Sequence, residues 1–180
     1  MKKLLNSTLL GLCALLGGCA SNGLPPVATV PQVDLPRFMG DWYVIAAIPT
    51  AIETEAYNAI ESYRLDEDGT IATTFTFNKG SFDGPQKRYN PRGFVVENSG
   101  NALWGMQFIW PIKADFRIAW LAPDYSTTVI ARNARDYVWI MARTPQISEQ
   151  EYETLTEFVA GLGYDTSKLR KVPQRWDNAE

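Results

Sequence analysis

Cys13 and Cys19 are the only thiols in this 180-residue chain, and there is no histidine. Without imidazole the chain lacks the commonest general base and the commonest metal ligand. Both cysteines fall within the first nineteen residues, so the remainder can build neither a disulfide framework nor a Cys/His site. No G-x-S-x-G nucleophile elbow occurs. The 20 Asp and Glu keep a carboxylate pair conceivable. None stands in a motif, however, and the run Asp66-Glu67-Asp68 reads as a turn. The expectation is a protein that is not an enzyme, with no metal and no cofactor. One position stands out chemically: Cys19 follows Gly17 and Gly18, where an apolar run stops and a polar one begins.

Lys2 and Lys3 precede a mostly apolar run from Leu4 to Leu16. That run matches the h-region of an export signal and is too short to span a bilayer. Leu16-Gly17-Gly18-Cys19 resembles the lipobox of bacterial lipoproteins, with Gly17 where Ala or Ser is more usual. The resemblance implies that residues 1–18 are a signal peptide. It also implies lipidation of Cys19, with a diacylglyceryl group on the sulfur and a further acyl chain, such as palmitate, on the amine. Ala20, rather than an Asp, implies sorting to the outer membrane. A single acyl chain binds a membrane marginally, at about 0.8 kcal/mol per buried CH₂, whereas two or more hold stably. Removing Lys2 and Lys3 leaves 15 basic residues against 20 acidic, a formal charge of −5. Acyl chains, not charge, must then hold the protein to an anionic surface. Residues 20–34 are rich in Pro and small side chains, so 19–34 is expected to be the lipidated Cys and a flexible tether. Such a tether would reach at most about 50 Å and let the domain sit clear of the membrane.

Residues 35–180 remain as one domain. Hydrophobic residues make up 46% of the chain and aromatics 12%, enough for a wide core or the wall of a cavity. No basic face supports nucleic-acid binding. Eight short β-type runs follow, at 41–48, 59–66, 70–77, 92–98, 103–110, 114–122, 126–133 and 136–143, separated by turn signals. This spacing predicts an all-β fold, an eight-stranded antiparallel up-and-down β-barrel. A capping box at Ser148 and Glu151 opens a run with Tyr152, Leu155, Phe158, Val159 and Leu162 at helical spacing. This C-terminal α-helix should pack outside the barrel, on the runs "DWYVIAAI" and "YVWIMA", which lack clean alternation. Period-two faces collect large rings: Phe75 and Phe77; Trp104, Met106 and Phe108; Phe116, Ile118 and Trp120. These eight residues are the candidate ligand-binding wall.

"GDWY" at 40–43 resembles the G-x-W motif of lipocalins. "LAPDYSTTVIARNARDYVWIMARTP" at 121–145 resembles their second and third motifs, and "NKG" (78–80) and "FIWP" (108–111) also match. Together these resemble the bacterial outer-membrane lipoprotein lipocalins, relatives of apolipoprotein D. The resemblance implies that Gly40, Trp42 and Arg143 are structural, with Arg143 stacked across Trp42 at the closed end. Val44 departs from the usual Glu, and the segment 49–59 departs from the bacterial pattern over the barrel mouth. The function implied is a membrane-anchored, lipid-binding protein in the cell outer membrane, its domain facing the periplasm, storing or transporting fatty acids or lysophospholipids. The resemblance permits a homodimer. Tyr57, Tyr63, Lys79 and Arg88 are candidates to meet a head group at the mouth. The competing expectations are a structural envelope lipoprotein with a filled barrel and no ligand, and a haem carrier, whose iron would depend on Tyr or Met.

Overall fold

The computed structural model describes residues 23–176. The signal segment 1–18 and Cys19 lie outside them. Strands β1 (Gly40–Ile48), β2 (Ala56–Leu65) and β3 (Ile71–Lys79) form a meander. It continues through β4 (Gln86–Tyr89), β5 (Arg92–Val95), β6 (Leu103–Ile109), β7 (Ile112–Leu121), β8 (Thr127–Ala131) and β9 (Val138–Ala142). All pairings are antiparallel, and the sheet closes because β1 pairs with both β2 and β9. β4 and β5 both pair with β3 and form one interrupted stave, so the barrel has eight staves. The interruption is Asn90-Pro91: proline has no N–H to give the ladder, and its carbonyl accepts from Thr73 N instead. The sequence pattern misses β4 because "QKRY" is exposed and polar, with no buried face to read.

The barrel is plugged at one end. A one-turn helix α1 (Leu35–Phe38) is capped by Asp34 and enters through Pro36. It delivers Phe38 into the interior, fully buried against Trp42, Tyr63 and Trp104 at ring separations of 5.0, 5.6 and 5.5 Å. Helix α2 (Glu149–Gly161) starts at Ser148, whose side chain accepts from Glu151 N. Its Leu155 and Val159 cover Ile45, Ala46, Ile48, Val129, Ala131, Val138, Ile140 and Ala142 on the outer face of β1, β8 and β9. Those strands are therefore apolar on both sides, as the absence of alternation predicts. A 3₁₀ turn (Thr166–Lys168) leads to β10 (Arg170–Lys171), which pairs with β1 at Ala46 and Ala47.

Residues 24–34 are not a free tether. Val27 and Val33 are buried, and the segment runs the length of the barrel exterior. Val27 N bonds Asn133 Oδ1, Val30 N bonds Ile118 O and Val33 N bonds Gly100 O. Gly100, with φ of +60°, leaves no room for a side chain beside the Pro31 carbonyl. The correction has a simple cause. Proline and small residues suit a linker, but the valines between them supply enough apolar area to dock on a β surface.

Candidate functional site

The closed end is built first. Trp42 is fully buried and donates its Nε1 hydrogen to Phe38 O at 2.9 Å. The Arg143 guanidinium lies 3.8 Å above the Trp42 ring. It donates to Asp41 O, Arg37 O, Phe38 O and Met39 O at 2.8–3.0 Å. One side chain thereby satisfies the carbonyls that the end of α1 leaves open. Desolvation lowers the Arg143 pKa, against the Asp41 carboxylate, which raises it. Gly40 adopts φ of +93°, a conformation open to glycine, which turns the chain from α1 into β1.

Above this plug lies a cavity of about 560 Å³. Its wall takes Phe75 from β3, Met106 and Phe108 from β6, Phe116 from β7, Ile130 from β8, and Trp139 and Met141 from β9. Glu61, Thr73, Tyr89 and Pro91 also line it, and the loop residues Thr50, Ala51, Ile52 and Glu53 lie across the mouth. That loop is held by Glu53, whose carboxylate accepts from Trp139 Nε1 at 3.0 Å and from Thr50 N and Oγ1 at 2.8 and 2.6 Å.

The eight candidate wall residues divide into four groups. Phe75, Met106, Phe108 and Phe116 line the cavity, Phe108 being half exposed at the rim. Trp104 and Ile118 point inward but belong to the floor, with Trp104 stacked on Phe116 at 4.9 Å. Phe77 is buried against Phe75 and Tyr89 and stands off the cavity surface. Trp120 is on the outside, its ring 5.3 Å from that of Phe158 on α2. A β-bulge between Ile118 and Trp120 breaks the period of two and turns the ring outward. Tyr63 also differs from expectation: it lies in the closed-end cluster, not at the mouth. At the open end, Tyr57 packs edge-on to Phe82 at 5.0 Å, Lys79 is 3.9 Å from Glu55, and Arg88 is exposed on β4.

Two polar residues in the barrel escape the sequence pattern. Glu61, on β2, lines the cavity and accepts a hydrogen bond from the Tyr63 hydroxyl beneath it. Burial raises the Glu61 pKa from 4.5 to about 7; the Tyr63 hydrogen bond opposes this and the Glu53 charge adds to it. Burial also raises the Tyr63 pKa well above its ordinary value, with the Glu61 charge next in size. The signal that could have found them is parity. Glu61 and Tyr63 share the parity of Ala59, and once the register of β2 is known that parity puts all three on the inward face. Among the described residues, no group of three His, Cys, Asp or Glu is placed to hold a metal ion. No described helix is long and apolar enough to cross a membrane.

The fold is a closed antiparallel barrel, plugged at one end and hollow beneath the other, with one helix on its flank and an internal cavity lined mainly by apolar side chains. Residues 33–174 match the lipocalin-like domain, and the chain belongs to the lipocalin family. It is 31% identical to temperature-induced lipocalin-1 of Arabidopsis thaliana over 159 residues, 81% of each chain. It is 28% identical to the outer membrane lipoprotein Blc of Escherichia coli K12 over 173 residues, 89% of this chain and 92% of that one. Insecticyanin from the tobacco hornworm Manduca sexta has the same fold, with a TM-score of 0.64 at 17% identity, covering 86% and 87% of the two chains.

Proposed function

We propose that this protein holds one lipid acyl chain, of a fatty acid or lysophospholipid, in the barrel cavity and works as a lipid carrier anchored to the outer membrane through Cys19. The cavity carries the reading. Its volume of about 560 Å³ is in the range of small-molecule sites. Its wall is mainly aromatic and aliphatic, with Glu61 and Thr73 among its polar groups and Glu53, Asp115, Arg132 and Tyr137 also lining it. Burying about ten methylenes there contributes about 8 kcal/mol before the cost of association. The filled-barrel alternative describes the lower half of the molecule well, since Phe38, Trp42, Trp104 and Ile118 leave no space there. It does not account for the upper half. The outer-membrane assignment is supported by the lipobox-like Leu16–Cys19 and by the printed name of the E. coli relative.

The test is titration with a fluorescent fatty acid, with the fold monitored by circular dichroism. Met106→Glu places a carboxylate in the apolar wall and should abolish binding. Lys79→Ala and Arg88→Ala should shift affinity less than tenfold, about 1.4 kcal/mol. A folded Met106→Glu protein that binds like wild type would end this reading. Anchoring is tested by Cys19→Ser, which should release the protein from the membrane fraction.

A further inference from the structure

Arg135, in the β8–β9 turn, donates from Nη2 to Pro25 O at 2.7 Å and from Nε to Leu162 O at 2.7 Å. Val27 N is held by Asn133, whose own N–H bonds Asp115 Oδ2. The chain therefore leaves the domain at the open end, beside the cavity mouth, and not at the plugged end. Pro25 lies six positions after Cys19, a reach of at most about 20 Å.

The β6–β7 hairpin is the second observation. Asn133 N bonds the Asp115 side chain, and the tip at Trp110-Pro111 lies four to five residues before Asp115, just ahead of β7. That is about 13–16 Å along the strand, or about 10 Å along the barrel axis at an ordinary strand tilt. Its large apolar side chains have no cover: Ile109 is 73% exposed, Trp110 83% and Ile112 68%. A patch of this kind on a monomer marks a contact surface. The rim segments 49–55, 79–88, 109–113 and 132–137 carry six Lys and Arg against four Asp and Glu, in a chain of formal charge −3. Phe108 and Ile109 belong both to this patch and to the cavity wall.

We infer that the open rim rests on the lipid bilayer, with the 109–112 hairpin dipping into it, so that the cavity opens directly onto the membrane. The occupant of the patch is the bilayer. The exit point, the short reach to Cys19 and the projection of the hairpin bring the same end of the barrel to the same surface. This rests on the anchoring reading above. A lipid would then move between membrane and cavity along Ile109 and Phe108 without crossing water.

The mature chain offers no free thiol once Cys19 is acylated, so single-cysteine probes are clean. The acylated full-length protein carrying Ile112→Cys or Glu97→Cys is labelled with an environment-sensitive fluorophore. Each is reconstituted into vesicles of phosphatidylethanolamine and phosphatidylglycerol containing an acyl-chain spin label. Residue 112 is at the rim, and Glu97 is exposed in the turn between β5 and β6 at the plugged end. The probe at 112 should be quenched at least threefold more strongly than that at 97. Trp110→Asp with Ile112→Asp should slow lipid transfer from vesicles at least tenfold, leaving affinity for a soluble fluorescent fatty acid within twofold. Equal quenching at the two positions overturns the inference, as does stronger quenching at 97. So does a blue shift of the 112 probe that tracks protein concentration in the Cys19→Ser chain without vesicles, which would make the patch a self-association face. The N-terminal peptide mass separates the two readings. An unacylated peptide sinks both, whereas an acylated peptide with an unquenched probe at 112 sinks only the orientation.

Discussion

Replacing Glu61 by Gln should remove one specific pH dependence from the stability of this protein. The Glu61 carboxyl sits in the cavity wall over the Tyr63 hydroxyl, and burial moves its pKa from 4.5 to about 7. The native state therefore prefers the protonated acid, and the unfolded state gives up its proton earlier. The stabilisation tied to this group is complete below pH 4.5 and is lost as pH rises through about 7. At 1.36 kcal/mol per pKa unit, the shift corresponds to roughly 3 kcal/mol, an upper figure because the cavity opens to solvent at its mouth. Glutamine keeps the shape and the acceptor oxygen for Tyr63 but cannot ionise. Near pH 4.5 the two proteins should be about equally stable; at pH 8 the Gln variant should be the more stable, by up to about 3 kcal/mol. The chain has no histidine, so no imidazole titrates in this window to mask the effect. The charged groups around Glu61 are the Glu53 carboxylate and, beyond Tyr63, the Arg143 guanidinium, and both remain in the variant. Urea unfolding followed by tryptophan fluorescence at pH 4.5, 6, 7 and 8 measures the difference directly. A wild-type-minus-variant difference constant to within about 0.5 kcal/mol across that range would refute the reasoning.

Trp42→Ala should destabilise by about 3–5 kcal/mol, since a fully buried ring is removed from a packed plug. Arg143→Ala should cost less and combine non-additively with Trp42→Ala in denaturant unfolding, because the two side chains stack; strict additivity would sink the stacking as an energetic unit. Trp120→Ala should lower the unfolding midpoint by removing the contact with Phe158 yet leave fatty-acid affinity within twofold; a large loss of affinity in a folded variant would place that ring in the cavity after all.

How much of this was legible in the sequence differs from element to element. The barrel was readable because Phe75 and Phe77 alternate with Thr74, Thr76 and Asn78, and alternation is a direct image of a half-buried pleat. The flanking helix and the strands beneath it were readable for the opposite reason. "DWYVIAAI" does not alternate because both its faces are covered. The stave formed by β4 and β5 was half lost, since an exposed polar strand broken by Pro91 carries no hydrophobic period. Trp120 was misplaced because a bulge inserts one residue without changing composition, and parity counted across it comes out reversed. The docking of residues 24–34 was hidden because it depends on where Gly100, Ile118 and Asn133 come together, which no local pattern records. At the site, the apolar wall was visible and Glu61 was not. An isolated carboxylate in a strand reads as a surface residue until the register of β2 against β1 and β3 shows which way it points.

The two ends of the barrel divide the work in a way that explains where the sequence speaks most clearly. Gly40, Trp42 and Arg143, which carry the family resemblance, are concentrated at the plugged end. There a positive φ, a buried indole and four backbone carbonyls must be met at once, and few residue types can meet them. None of these three residues lines the cavity. The open end meets fewer simultaneous constraints: on the reading proposed above, it has only to admit an apolar chain. The segment 49–55 is held by Glu53, whose carboxylate accepts from Trp139 and from Thr50. Glu61 lies between the two regimes, fixed by the plug through Tyr63 and facing the ligand space above. A buried acyl tail would exclude water from that carboxyl and favour its protonated form further, so lipid occupancy and proton uptake should rise together. The same Glu61→Gln variant, assayed for fatty-acid binding between pH 5 and 8, should then hold its affinity where the wild type weakens.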